Sequence, residues 1–264
     1  FKESTIIQAC IEYFNQFTLY RGVHLYYITT EREGINSKTA NILKKLSKQY
    51  SFFWIHYPKK GGFKSHQLNW AIKKIQTIID EDSQRTYFGI YDVDSRPNPL
   101  VLEKVLYGRD PVYQQPSIYL ENYSRISLLQ KAGALLQTKW EFCRNVPILR
   151  QQIKQKTSMS HLQSCTGHGL FIRSDIFKKV GMFSTKTLTE DLEFGYRLAF
   201  YGIHITPLKE GDFARYSPTF LSSIYQTSRW FGGEFLLLEY YKEVKQKNWR
   251  LTLLIIRRYY TTFK

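Results

Sequence analysis

Asp92 and Asp94, one residue apart, close the run Tyr87-Phe-Gly-Ile-Tyr-Asp-Val-Asp-Ser-Arg-Pro97. Aromatic and β-branched residues with few breaks read as a strand, and Pro97 and Pro99 stop it. Side chains on a strand repeat with period two, so both carboxylates can face one side. In open α/β sheets ligands bind beyond the carboxyl ends of strands. Two hard oxygen ligands there suit magnesium or manganese carrying a diphosphate, because these ions keep positions open for phosphate oxygens. The same residues also fit a strand running into an Asp/Ser/Pro turn, and the pair alone does not decide between the two.

A second acidic site is Thr189-Glu190-Asp191. Thr189 can cap a helix whose first turn carries both carboxylates, where the helix dipole favours negative charge. A carboxylate held ionised in that position can also accept a proton from a hydroxyl nucleophile. Gln226, Arg229 and Trp230 are spaced i, i+3 and i+4, so one helix face combines an amide, a guanidinium and an indole. An indole stacks on a sugar or base, and Arg holds a diphosphate; the alternative is an amphipathic helix with Trp230 in the core. Lys64, with Gln67 and Asn69, follows Gly61-Gly62 and opens a helix, which fits an anion site. His168 lies between Gly167 and Gly169, where backbone can approach a ligand closely. Glu3 and Glu31 follow expected strand ends, where a base or ribose could be read.

The elements that must position these groups alternate helix and strand. Apolar spacing gives a helix from Ser4 to Phe17, a strand over 23–30, and a helix capped by Ser37. A strand over 51–57, a helix carrying Leu68, Ala71, Ile72, Ile75 and Ile79, and the Asp92 strand follow. This order predicts an α/β domain with a mostly parallel central sheet flanked by helices. A first strand is expected before Phe1, since the chain opens almost directly on a helix pattern. Helical patterns cover 125–152, 190–201 and 218–243, short strands cover 112–116, 170–173 and 203–206, and 154–164 is polar. The domain is expected to span 1–243. The segment 244–264 mixes Lys245, Lys247, Arg250, Arg257, Arg258 and Lys264 with Trp249, Tyr259, Tyr260 and aliphatics, a candidate membrane-interface helix.

Composition narrows the class. The 264 residues, 43% hydrophobic, support one large core rather than several. Thirty-eight Lys and Arg against 22 Asp and Glu leave a net charge of +16, which calls for an anionic partner. Cys10, Cys143 and Cys165 match no metal or redox spacing and read as thiols of a reducing compartment. No run approaches the ~20 apolar residues of a membrane span.

Asp92-Val-Asp94, Gly167-His-Gly169, Thr189-Glu-Asp191 and Gln226-x-x-Arg-Trp230, in this order, resemble a family 2 glycosyltransferase of the membrane-associated group that includes cellulose and hyaluronan synthases. Phe1-Lys-Glu3 resembles the end of that family's first-strand motif, and Lys64-Ser-His-Gln-Leu-Asn69 its Lys-x-x-x-Leu-Asn segment. The resemblance implies a GT-A (Rossmann-like) fold and an inverting transfer from a nucleotide-diphosphate sugar, with UDP-sugar as the expected donor. It also implies a divalent metal, magnesium or manganese. By position, Glu3, Glu31, Lys64, Asn69, Asp92 and Arg229 would bind the donor and Asp94 the metal. Asp191 would be the base, and His168, Glu190, Gln226 and Trp230 would meet a glycan or lipid-linked acceptor. It further implies cell-surface polysaccharide or glycolipid synthesis at the cytoplasmic face of the cell membrane, with an anionic membrane surface as a partner. A sugar nucleotidyltransferase is the rival reading; it uses a similar fold and Asp pair but gives Asp191 and the Gln226 face no role. A non-enzymatic basic nucleic-acid binder is a second rival. It is disfavoured because carboxylates cluster where an anion groove should be basic, so no nucleic-acid partner is expected.

Overall fold

The computed structural model describes residues 4–79, 85–155, 162, 164–242 and 249–262. Glu3 lies outside the described residues, as does nearly all of the polar stretch 154–164 beyond Gln155.

The amino-terminal part follows the helix–strand alternation. Helix α1 (Ile7–Phe14) buries Ile7 and Ile11 against Leu43 and Leu46 of α2 (Lys38–Leu46), whose first turn is capped by Ser37 Oγ accepting from Ala40 N. Strands β1 (Tyr26–Thr30) and β2 (Phe53–Tyr57) pair in parallel, and α3 (Lys64–Gln76) buries Ala71, Ile72 and Ile75. Strand β3 (Tyr87–Ile90) stops sooner than the aromatic run implies. Asp92 and Asp94 therefore lie in the turn after it, closed by Ser95 N donating to Asp92 O at 3.0 Å, and not on the strand. The backbone turns there so that β4 (Arg96–Pro97) can pair with β9 (Asp212–Phe213).

Next come α4 (Val101–Tyr107), β5 (Val112–Gln114), β6 (Ser117–Ile118) and α5 (Leu128–Trp140). A π-helical turn, Glu141–Asn145, joins α5 to α6 (Val146–Gln155). Pro147 accounts for it: lacking an N–H and crowding the carbonyl four residues back, it widens the turn before it. Strand β7 (Leu170–Arg173), α7 (Ser174–Val180), α8 (Glu190–Phe200) and β8 (Thr206–Pro207) precede β9.

The second sheet runs β3-β7-β5-β8 and the third β4-β9-β6. The α/β class holds, but the pairing is only partly parallel: β7 runs antiparallel to both β3 and β5, while β5–β8 and β6–β9 are parallel. Strand β7 reverses because it returns from the α5–α6 excursion to the opposite end of the sheet. The main core, with Ile90, Val112, Ile172, Phe177, Phe194 and Leu198 among its members, lies between this sheet, α7 and α8.

The helical stretch after Pro218 is split into α9 (Phe220–Phe235) and α10 (Leu237–Lys242) at Leu236. Helix α11 (Trp249–Thr262) seats Leu254 and Ile255 against Tyr196, Phe200, Leu237 and Tyr240. The described part of the carboxyl-terminal segment is thus docked on the domain, with Arg258 Nη2 2.6 Å from Glu234 Oε1. Trp249, Leu253, Ile256 and Tyr260 remain exposed on its other side.

Candidate active site

Three loops bring the charged residues together. The turn after β3 supplies Asp92 and Asp94, the loop before β7 supplies Gly167, and the amino-terminal end of α8 supplies Glu190 and Asp191. Lys64, at the start of α3, is the tie among them. Its Nζ donates to Asp92 Oδ1 at 2.5 Å and to Gly167 O at 2.9 Å. A Cβ on Gly167 would stand 3.0 Å from Asp191 Oδ2, a tight contact, and 3.6 Å from Lys64 Nζ, an ordinary one. The bare backbone at Gly167 therefore leaves room for the Asp191 carboxylate beside Lys64.

Electrostatics separate the four carboxyls. Burial disfavours the ionised form of Asp92, but Lys64, His168 and Arg229 outweigh it, so its pKa falls below the usual carboxylate value. Asp94 moves the other way, raised by burial and by the charge of Asp92. Burial raises Asp191, while the Leu192 amide, Lys64 and Arg229 hold it back. Glu190, 7% exposed, is raised by burial and by Asp191. Burial opposes the charge on Lys64, yet Asp92, Glu190 and Asp191 together raise its pKa. Arg229 of α9 acts on Asp92, Glu190 and Asp191 alike, so two cations face three acids. An alcohol brought between Asp191 and this cationic pair would meet a raised-pKa base beside a place fit for a diphosphate.

A metal-binding role for Asp94 fits the donor set. Its oxygens are hard, and its carboxyl is raised by burial and a neighbouring anion, which a divalent cation would offset. Among the described residues no three His, Cys, Asp or Glu converge to cage an ion. The set therefore suits magnesium or manganese held by one or two carboxylates and completed by a ligand's phosphates.

Other expected residues sit differently. Asn69 uses both ends of its amide on the backbone of Phe183: Nδ2 donates to the carbonyl at 2.8 Å, and Oδ1 accepts from the amide at 3.0 Å. It pins the loop before α8 from both ends of its amide. His168 is buried beneath the site; its Nδ1 is 2.7 Å from Asp212 Oδ2, with Ser117 Oγ 3.4 Å from Nε2. Burial opposes its protonation, but the Asp212 bond and the charges of Asp92 and Asp212 raise its pKa. It acts on the carboxylates from below and presents no open face to an acceptor. Glu31 follows β1 and pairs with His56 Nε2 at 2.8 Å. Gln226 accepts from Ser217 Oγ at 2.8 Å, and Trp230 is half-buried on the same helix as Arg229.

Sequence reasoning missed Asp212, which is fully buried, bonds His168 and accepts from Arg96 N at 3.0 Å. Its only signal was an acid after Gly211 in a short loop. It also misread the hydroxyl of Thr189. That residue precedes α8 but makes no side-chain cap; its Oγ1 bonds Thr187 and Tyr240 instead.

The mixed α/β fold that carries these residues is similar to that of a GT-A glycosyltransferase. Residues 88–263 match the family described as Glycosyl transferase family group 2, and the chain belongs to it. Mannosyltransferase PcManGT from Pyrobaculum calidifontis, solved in complex with GDP-Man and Mn2+, is similar in fold, with a TM-score of 0.65. The match covers 98% of this chain and 67% of that one at 11% identity. No curated protein sequence matches the chain significantly.

Proposed function

We propose that the chain transfers a sugar from a nucleoside-diphosphate sugar to a hydroxyl acceptor with inversion at the anomeric carbon. The observation that carries this reading is the Lys64 junction, which sets Asp191 across from the Asp92 turn with Arg229 acting on both. The acceptor hydroxyl attacks the anomeric carbon, Asp191 takes its proton, and the bond to the diphosphate breaks in the same displacement. Lys64 and Arg229 offset the charge gathering on the leaving diphosphate. A divalent ion on Asp94 would supply Lewis-acid neutralisation of that charge when bound.

Family membership and the Mn2+ and GDP-Man of the similar mannosyltransferase support a nucleotide-sugar donor. GDP-mannose and UDP-glucose are therefore the first two donors to compare. The acceptor is a glycan or lipid-linked hydroxyl in cell-surface polysaccharide or glycolipid synthesis, met at the cytoplasmic membrane face. No described helix is long and apolar enough to cross a membrane. The exposed stripe of α11 and a groove of 550 Å³ along α9, lined by Phe220, Ile224, Phe231 and Phe235, support contact with an anionic bilayer surface. Replacing Trp249 and Tyr260 with Ser should cut co-sedimentation with anionic vesicles at low salt; equal pelleting of both forms counts against it.

Calorimetric titration of GDP and of UDP, with and without Mn2+, tests the donor site. Mn2+-dependent binding of one nucleotide, lost in Asp94→Asn, is expected. Metal-independent binding would remove the metal role from Asp94, and pyrophosphate rather than nucleoside diphosphate as the reaction product would turn the assignment toward nucleotidyl transfer.

A further inference from the structure

Thr189 stands immediately before the base helix, where a threonine normally accepts from an amide of the first turn. Its hydroxyl is diverted. Thr187 Oγ1, Thr189 Oγ1 and the Tyr240 hydroxyl form a closed group at 2.9, 3.1 and 3.4 Å, and all three residues are buried. Thr187 Oγ1 also accepts from Thr189 N at 3.1 Å, while Thr189 O accepts from Glu193 N at 3.1 Å. The backbone that sets the start of α8, and with it Asp191, is thus fixed from Tyr240 on α10.

Helix α9 closes on the same point. A Cβ on Gly233 would stand 2.2 Å from Thr189 Oγ1, so only glycine admits this approach. Gly233 is one helical turn beyond Arg229, on the face that carries it. One residue on, Glu234 accepts from Tyr196 of α8 at 2.7 Å and from Arg258 of α11 at 2.6 and 3.3 Å. Burial opposes the charge of Arg258, but Tyr196 and Glu234 raise its pKa, so the guanidinium stays charged. Glu234 thus ties α9, one turn past its arginine, to the base helix through Tyr196, while Thr187 and Thr189 tie the start of that helix to Tyr240 of α10.

We propose that the Tyr240 hydroxyl is a positioning group for Asp191, acting through Thr187 and Thr189, and that Gly233 sets how close the arginine-bearing helix comes to the base. The carboxyl-terminal helices then set base-to-diphosphate spacing and are more than an appended surface. This rests on the reading of Asp191 as the base. Removing the Tyr240 hydroxyl frees the α8 start without touching any group at the acid cluster, so its effect belongs on turnover and not on donor affinity. A displacement approaching 1 Å at a reacting group costs up to about 100-fold. The loss of one hydroxyl from a closed group of three should cost about tenfold by the same principle.

The experiment compares wild type with Tyr240→Phe, Thr189→Val, Thr189→Ser and Gly233→Ala in two readouts. The first is amide hydrogen exchange at Thr189 and Glu193, which needs no substrate. Tyr240→Phe and Thr189→Val should speed it about tenfold, Thr189→Ser should restore it, and Gly233→Ala should speed it further. The second is steady-state kinetics on GDP-mannose and UDP-glucose with Mn2+. Tyr240→Phe and Thr189→Val should lower kcat with KM for the donor unchanged, and Thr189→Ser should recover kcat. Unchanged exchange in Tyr240→Phe and Gly233→Ala overturns the proposal whatever the activity, and faster exchange with unchanged kcat overturns the positioning role. Faster exchange in a protein whose wild type turns over neither donor supports the tie and counts against the transferase reading alone.

Discussion

Replacing Lys64 with Met removes the one cation that bonds both Asp92 and Gly167 while keeping most of the side-chain volume. The side chains of Lys64 and Asp92 are 36% and 44% exposed, so solvent screens the pair. Its contribution to stability is at most about 1 kcal/mol. For a domain of this size that is a fall in Tm of about 2–4 °C. The effect on ligand binding should be larger. A hydrogen bond to a charged group is worth about 1.5–3 kcal/mol. Screening favours the lower end, so nucleoside diphosphate affinity should drop about tenfold. The pH dependence should move too. Asp191 is raised by burial and held down in part by Lys64. Without Lys64 its pKa rises further, and since a base works only when ionised, the acid limb of kcat/KM must shift to higher pH. Calorimetry with GDP or UDP and a pH–rate profile measure both. A Lys64→Met protein with Kd within twofold of wild type and an unmoved acid limb would refute the account of this junction.

Two further outcomes follow from the surrounding scaffold. Asn69→Ala leaves the amide and carbonyl of Phe183 without partners and should destabilise the fold by about 2 kcal/mol in denaturant unfolding, with nucleotide affinity little changed once folded. Stability linked to His168 should be pH-dependent. Its folded pKa lies above the ordinary 6.5, so its contribution is complete below that value and is lost as pH rises through the folded pKa. Unfolding free energy measured across that window should decline in wild type and flatten in His168→Asn.

The helix order, the Ser37 cap and strand β7 were legible because each rests on local pattern: period, cap chemistry and a short apolar run. The direction of β7 was not, since strand pairing depends on where a long excursion returns. Lys64, Asp92, Glu190, Asp191 and Arg229 were legible as residue types, and the structure brings them together. Asn69 and His168 were legible as polar residues near glycines but not as the backbone clamp and buried ion pair they form. Asp212, Thr187 and Tyr240 carried almost no local signal, because the contacts that bring them in span 44 residues from Asp212 to His168, 116 from Asp212 to Arg96 and 53 from Tyr240 to Thr187. The charged stripe of α11 read as a surface feature, yet Leu254 and Ile255 hold that helix on the core.

The central claim is that Asp191 takes the acceptor's proton. Turnover of Asp191→Asn at saturating donor and Mn2+, measured as nucleoside diphosphate released on sugar transfer, tests it most directly. General-base catalysis is worth about 10²–10⁴ in rate. The account predicts a loss of that order with nucleotide affinity little changed. A mutant retaining more than about a tenth of wild-type turnover, well short of that loss, would contradict it and leave Asp191 a helix-terminal carboxylate.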